Sequence, residues 1–284
     1  MSRLMRRWMQ RWSRSTLGLV SQPLWRDSNP VFVLSTGRTG TDALHRLLDQ
    51  HPKLAATHEP KPQLMGERKD AHQRIDAAPD EFLDVFVRAR GAALLGARLS
   101  GRRYVETSAR LTFFAPVIAS LLPHAKFIYM FRHPAAVVTS GMRRRWYVDH
   151  EADAYRIVPR LDDPVATRWP MLTPFEKICW YWQAYNRFSL EAASSLATHR
   201  VCFLRAESFF ERDPDTLRGL FEFLGISPLS DSKIDSVLVH RHNAQVGGHA
   251  FPDFDQWTPD MRRTLQESCG AVMSELGYAA AWPC

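Results

Sequence analysis

NPVFVLSTGRTGTDALHRLLDQHPKLAATHEP, residues 29–60, contains the reading on which the fold turns. Val31 to Leu34 form an uninterrupted apolar run with the length and β-branching of a strand buried on both faces. Ser35 to Thr41 follow as a turn containing two glycines and four hydroxyl side chains. Leu44, Leu47 and Leu48 then recur at helical spacing until His51-Pro52, where proline restricts its predecessor and marks a helix boundary. Strand, glycine-bearing turn and helix in that order aim backbone N–H groups and a positive helix end at one point. Such a point binds phosphate or sulfate.

The common nucleoside-triphosphatase loop, GxxxxGK[ST], places a lysine beside its last glycine. Here the cation is Arg38, lying between Gly37 and Gly40, and no loop lysine exists. One GxxG alone is equally a plain strand-to-helix turn that uses glycines for positive φ. The rest of the chain decides between the two.

The 284 residues are 24% charged and 45% hydrophobic, which suits one α/β domain with insertions, spanning 28–284 behind a basic segment at 1–27. A net charge of +7 favours anionic partners: nucleotides, sulfated or phosphorylated substrates, or an anionic membrane surface. Cys179, Cys202, Cys269 and Cys284 form no CxxC pair and no Cys/His spacing suited to zinc, so they read as buried thiols in a reducing compartment. No apolar run reaches the roughly 20 residues of a membrane-spanning helix. In the first 26 residues, six arginines and no acid surround Leu4, Trp8 and Trp12. That pattern reads as an amphipathic helix on a membrane surface. A transit peptide, or a surface helix packed by its tryptophans, are the other readings.

Further strands are expected at Arg103–Val105, Lys126–Phe131 and Val201–Leu204, and helices at about 112–122, from Pro134, at 176–197, from Pro214 to Gly225, and from Pro259 to Gly277. Phe82, Val85, Phe86 and Ala89 fit a helix face. Residues 147–174 lack periodicity and read as an irregular excursion near a site mouth, and His240–Phe251 as a basic loop. Strands alternating with helices predict a three-layer parallel sheet flanked by helices. Trp180, Trp182 and Tyr185 read as core.

Three segments together, STGRTGT, FRHPAAVVTS and FLRAESFFERDPDTLRGLFEFLGI, resemble the sulfotransferase family in order and spacing over about 31–277. The resemblance implies a P-loop-like sulfotransferase fold and 3′-phosphoadenosine 5′-phosphosulfate as the co-substrate, without a metal. It assigns the 5′-phosphosulfate to the loop Gly37, Arg38, Thr39, Gly40, Thr41 and Asp42, and the 3′-phosphate to Arg132 and Ser140, eight positions apart. It makes Arg38 the catalytic cation and Glu59 the base. Glu59 stands 21 positions after Arg38, the separation found in tyrosylprotein sulfotransferases.

Glu106 and His58 compete for the role of base, and Glu59 is also readable as a loop carboxylate paired with Lys61. VETSA resembles a segment of heparan-type members with Thr107 where they carry lysine. Asp42 in the phosphate loop, Ala136 after the Arg-x-Pro and Ala43 in the first helix separate the chain from the cytosolic steroid and phenol branch and place it nearer Golgi-type and bacterial members. Arg143 to Arg145 extend the 3′-phosphate site, face an acidic acceptor, or form a solvated helix face. The expected acceptor is a small molecule, glycan or lipid-linked group, with no nucleic-acid partner, in the cytoplasm or at a membrane surface. The rivals are a P-loop kinase, disfavoured by the missing lysine and magnesium-binding aspartate, and a non-catalytic nucleotide-binding protein at a membrane surface.

Overall fold

The computed structural model describes residues 24–238 and 249–278. The arginine-tryptophan segment before residue 24 and most of the basic loop at 240–251 lie outside them. In chain order the elements are β1 Val31–Leu34, α1 Thr41–Asp49, β2 Leu54–Thr57, α2 Met65–Arg74, α3 Pro79–Leu99, β3 Arg103–Glu106, α4 Ala115–Leu121, β4 Lys126–Phe131 and α5 Pro134–Arg143. They continue with α6 Pro174–Ser194, β5 Val201–Arg205, α7 Ala206–Phe210, α8 Pro214–Leu224, α9 Asp231–Leu238 and α10 Pro259–Glu275.

The five strands form one parallel sheet in the order β2-β3-β1-β4-β5. All four residues of β1 are buried, as its unbroken apolar run predicts. Side chains alternate between two cores with the strand period of two. Phe32, Leu34, Phe127 and Tyr129 enter one core; Val31, Val33, Ile128 and Met130 enter the other. Trp25, read as part of the basic segment, is fully buried in the first.

The connection from β1 leads away to the edge strand β2, while β4 lies on the other side of β1. The strand order therefore reverses at β1, and a crevice opens outside the carboxyl ends of the strands, where such sheets bind ligands.

Local chemistry sets the helix starts. Pro134, Pro174, Pro214 and Pro259 occupy first turns, where a missing N–H costs nothing. Thr173 and Glu176 form a reciprocal capping box before α6, and Asp213 caps α8. Gly225 ends α8 at φ +63°.

One expectation needs correction. The helix expected from about 112 is a 3-10 turn over Ala109–Phe114 before α4, because the Thr112 hydroxyl is engaged with both the N–H and the carbonyl of Ser35, each at 3.0 Å. The strand β2 was not foreseen. The strand expected at Val201–Leu204 is present as β5, Val201–Arg205, at the edge of the sheet with Phe203 53% exposed.

α6 pins two strand-end loops through neighbouring residues. The Tyr181 hydroxyl donates to the Thr36 carbonyl at 2.9 Å, and Trp182 Nε1 donates to the Arg132 carbonyl at 2.9 Å. Tyr181→Phe strands a buried carbonyl and is expected to lower stability by about 1–3 kcal/mol, seen as a lower urea midpoint at unchanged m-value.

Candidate active site

Every loop at the carboxyl edge of β1 to β4 delivers a charged side chain to one cavity of about 340 Å³. After β1 comes Arg38, after β2 His58 and Glu59, after β3 Arg110, and after β4 Arg132; Arg68 of α2, Arg144 beyond α5 and Arg156 also line it.

In the β1–α1 turn, Gly37, Arg38 and Gly40 all have positive φ, at +76°, +60° and +105°. A Cβ on Gly40 would sit 2.5 Å from the Phe210 ring, so only glycine fits there. Ser35 Oγ holds the turn by bonding Thr39 Oγ1 at 2.7 Å and accepting from the Gly37 N–H at 2.9 Å. Gly40 gives α1 no side-chain cap. The first-turn N–H groups are thereby left for an anion, at the positive end of the helix dipole.

The Arg38 side chain reaches across to α5, where Nε donates to Ser140 Oγ at 3.1 Å. Arg132 donates through Nη1 to the Arg38 carbonyl at 3.2 Å. The structure thus brings together Arg38, Arg132 and Ser140, residues that sequence spacing placed in two separate segments. Burial, followed by Arg144 and Arg132, pulls the Arg38 guanidinium down to about 10, and Glu59 opposes the shift. His133 caps α5 as a neutral ring, Nδ1 accepting from the Ala135 N–H at 3.1 Å, because burial and Arg205 lower its pKa to about 3.

Asp42 lines the cavity, yet its carboxylate pairs with Arg46 one turn on at 3.0 Å, so its charge is partly neutralised along α1. Thr39 and Thr41 are buried in the turn.

Glu59 has φ +46°, so the catalytic pair inferred from sequence, Arg38 and Glu59, both occupy left-handed backbone. Strain of this kind persists where surrounding structure imposes it, and it gathers at functional sites. The partner of Glu59 is Arg110, at 2.7 Å, rather than Lys61. His58 has Nδ1 within 2.7 Å of the Thr107 carbonyl and 2.9 Å of its hydroxyl. A proton on Nδ1 donated to that carbonyl leaves Nε2 as an acceptor.

Glu106 is removed from the competition. It is fully buried, held by Arg90 at 2.6 and 2.9 Å and by the Tyr104 hydroxyl at 2.7 Å. It is a structural ion pair with no route to an acceptor. The arginine triplet divides three ways. Arg143 bonds the Phe251 carbonyl and Asp253, Arg145 pairs with Asp149, and Arg144 lines the cavity.

Arg68, Arg110 and Tyr181 were not singled out from sequence. Arg110 had a usable signal, since it closely follows a strand's carboxyl end. Arg68, on a polar helix, had none. Among the described residues no group of three or more His, Cys, Asp and Glu could hold a metal, and no helix is long and apolar enough to cross a membrane.

Comparison with known proteins gives the family and the fold. Residues 30–231, more than half of the chain, match the model of the sulfotransferase family. Among solved structures, the sulfotransferase domain from the curacin biosynthetic pathway superposes with a TM-score of 0.55 at 18% identity, covering 89% of this chain and 98% of that one. The sulfotransferase domain of the Synechococcus PCC 7002 olefin synthase gives 0.51 at 19%, covering 90% and 97%. Sulfotransferase STF9 from Mycobacterium avium gives 0.51 at 14%, covering 87% and 76%. At these identities the likeness is one of fold. A search of curated proteins found no match. The chain belongs to the sulfotransferase family and is an enzyme of that family, so the kinase and non-catalytic readings give way.

Because Glu106 balances the buried Arg90 charge, Glu106→Gln is expected to destabilise the protein by about 3–5 kcal/mol in chemical denaturation. Near-wild-type stability would contradict its structural assignment.

Proposed function

From this premise we propose that the enzyme takes its sulfuryl group from 3′-phosphoadenosine 5′-phosphosulfate and passes it to a hydroxyl or amine of its acceptor by in-line displacement, with Glu59 as base. The observation that carries this reading is the meeting of Arg38 with Arg132 and Ser140 at the crevice where the strand order reverses. One nucleotide with anions at both its 5′ and 3′ positions needs two cationic anchors within its own length, and these loops supply them.

The residues divide the work. Backbone N–H groups of Gly40 and the first turn of α1, with the hydroxyls of the turn, surround the phosphosulfate. Arg38 faces the bridging oxygen, where negative charge builds as the sulfur–oxygen bond to phosphate breaks, and it acts there as a preorganised cation. Arg132 and Ser140 receive the 3′-phosphate through charge-assisted hydrogen bonds. Arg144, already felt by Arg38, adds a further positive charge on this side.

As the acceptor oxygen or nitrogen bonds to sulfur, its proton passes to Glu59 and the bridging oxygen keeps the electron pair, releasing adenosine 3′,5′-bisphosphate. Arg110 holds Glu59 Oε2 and so fixes the carboxylate at the cavity wall. One observation favours a second base: the Thr107 contact that leaves His58 Nε2 as an acceptor.

Glu59→Gln keeps size and shape while removing the basic oxygen. It is expected to cut turnover by about 100-fold or more, with affinity for adenosine 3′,5′-bisphosphate unchanged within about twofold. If Glu59→Gln turns over normally while His58→Asn does not, the role of base belongs to His58.

A further inference from the structure

Three guanidinium donors on cavity-lining residues have no acceptor, Arg144 Nε on the Arg38 side and a pair on two further arginines. Arg68 Nε and Arg110 Nη1 are both shut off from solvent without a hydrogen-bond partner. Each guanidinium is otherwise anchored, Arg68 through Nη2 to the Tyr155 carbonyl at 2.7 Å and Arg110 through Nη2 to Glu59 at 2.7 Å. The side chains are therefore fixed while one donor on each remains unused. Buried charged donors without acceptors are few in native proteins, and each calls for a partner. Arg68 is only 8% exposed, although it carries a full charge.

The donor nucleotide does not account for this pair. The cations that act on Arg38 are Arg144 and Arg132, whereas the cation that acts most on Arg110 is Arg68. In the strand order β2-β3-β1-β4 the loops of Arg110, after β3, and Glu59, after β2, lie on one side of Arg38, and that of Arg132, after β4, lies on the other. The first group, Arg38 with Arg144 and Arg132, matches the two anionic ends of the donor. The second, Arg110 and Arg68, carries two positive charges beside the Glu59 carboxylate.

We propose that the acceptor bears an oxyanion, a carboxylate or phosphate, received by Arg68 and Arg110 while its hydroxyl or amine lies at Glu59. This rests on the reading of Glu59 as the base. A neutral acceptor would leave both donors unpaired, and a site built around buried polar groups rejects a ligand that cannot satisfy them. An acceptor with the anion pairs both and is oriented by a second point of attachment, which sets its nucleophile toward the donor.

The test uses the full chain saturated with adenosine 3′,5′-bisphosphate and calorimetric titration with two matched pairs: 4-hydroxyphenylacetate against its methyl ester, and methyl glucuronide against methyl glucoside. At least one anion is expected to bind tenfold or more tightly than its neutral counterpart, and the pair in which it does so tells a phenolic from a sugar acceptor. Arg68→Gln is expected to abolish the preference while binding the bisphosphate as the wild type does. If that variant has lost its fold, Arg110→Gln carries the same readout. Equal binding within both pairs, or a preference that survives Arg68→Gln, overturns the proposal and assigns the two donors to water. Failure of the wild type to bind the bisphosphate at all would instead strike the donor site.

Discussion

Three arginines crowd the carboxyl edge of one parallel sheet, and the remainder of the molecule is arranged to keep them there. Arg38 is drawn down to about 10 by burial and then by Arg144 and Arg132, a charging penalty on the order of 3 kcal/mol. An unliganded fold gains nothing from that arrangement. An anion among the three would relieve it. Enzyme sites commonly carry such a cost, with stability supplied elsewhere.

Here the supply comes from the sheet and from α6. β1 is central and buried on both faces, so the turn leaving it starts from the most rigid point of the fold. Tyr181 and Trp182 tie the β1 and β4 loops to a single helix, while Thr112 clamps Ser35 from another side. The Glu207 carboxylate, placed by α7 just after β5, accepts from the His133 N–H at 2.9 Å and from the Tyr278 hydroxyl at 3.0 Å. These bonds act on backbone groups of the loops at the carboxyl edge or their neighbours and leave the cationic side chains lining the cavity. On the far side of the cavity Glu59 is set by Arg110, and the buried Arg90–Glu106 pair stiffens the strand from which that corner emerges.

The sequence made β1, β4 and the capped helices readable because their causes are local: an apolar run, a proline in a first turn, a glycine at a helix end. β2 was hidden because its four residues, LAAT, are mostly half-buried and owe their extended form to pairing with β3, Leu54 opposite Arg103 through Thr57 opposite Glu106. No short-range pattern encodes that contact. The glycine-bearing turn after β1 and the Arg132–Ser140 spacing were legible as motifs, but the bond from Arg38 to Ser140 spans 102 positions and follows from the sheet order alone. Glu106 illustrates the opposite limit. A carboxylate at a strand end looks like a base in sequence, and only its burial against Arg90 and Tyr104 reveals a structural charge. Arg68 was invisible for a related reason, since α2 is polar throughout and its inward face is chosen by tertiary packing.

The central claim is that one nucleotide is gripped at two ends by loops that leave neighbouring strands. It is tested most directly by comparing the affinities of adenosine 3′,5′-bisphosphate and adenosine 5′-monophosphate in the wild type and in Arg132→Ala. The account predicts that the wild type prefers the bisphosphate by about 1.5–3 kcal/mol, the value of a charge-assisted bond, and that Arg132→Ala loses that preference while holding the monophosphate unchanged. A wild type indifferent to the 3′-phosphate, or a variant that keeps the full preference, would contradict it.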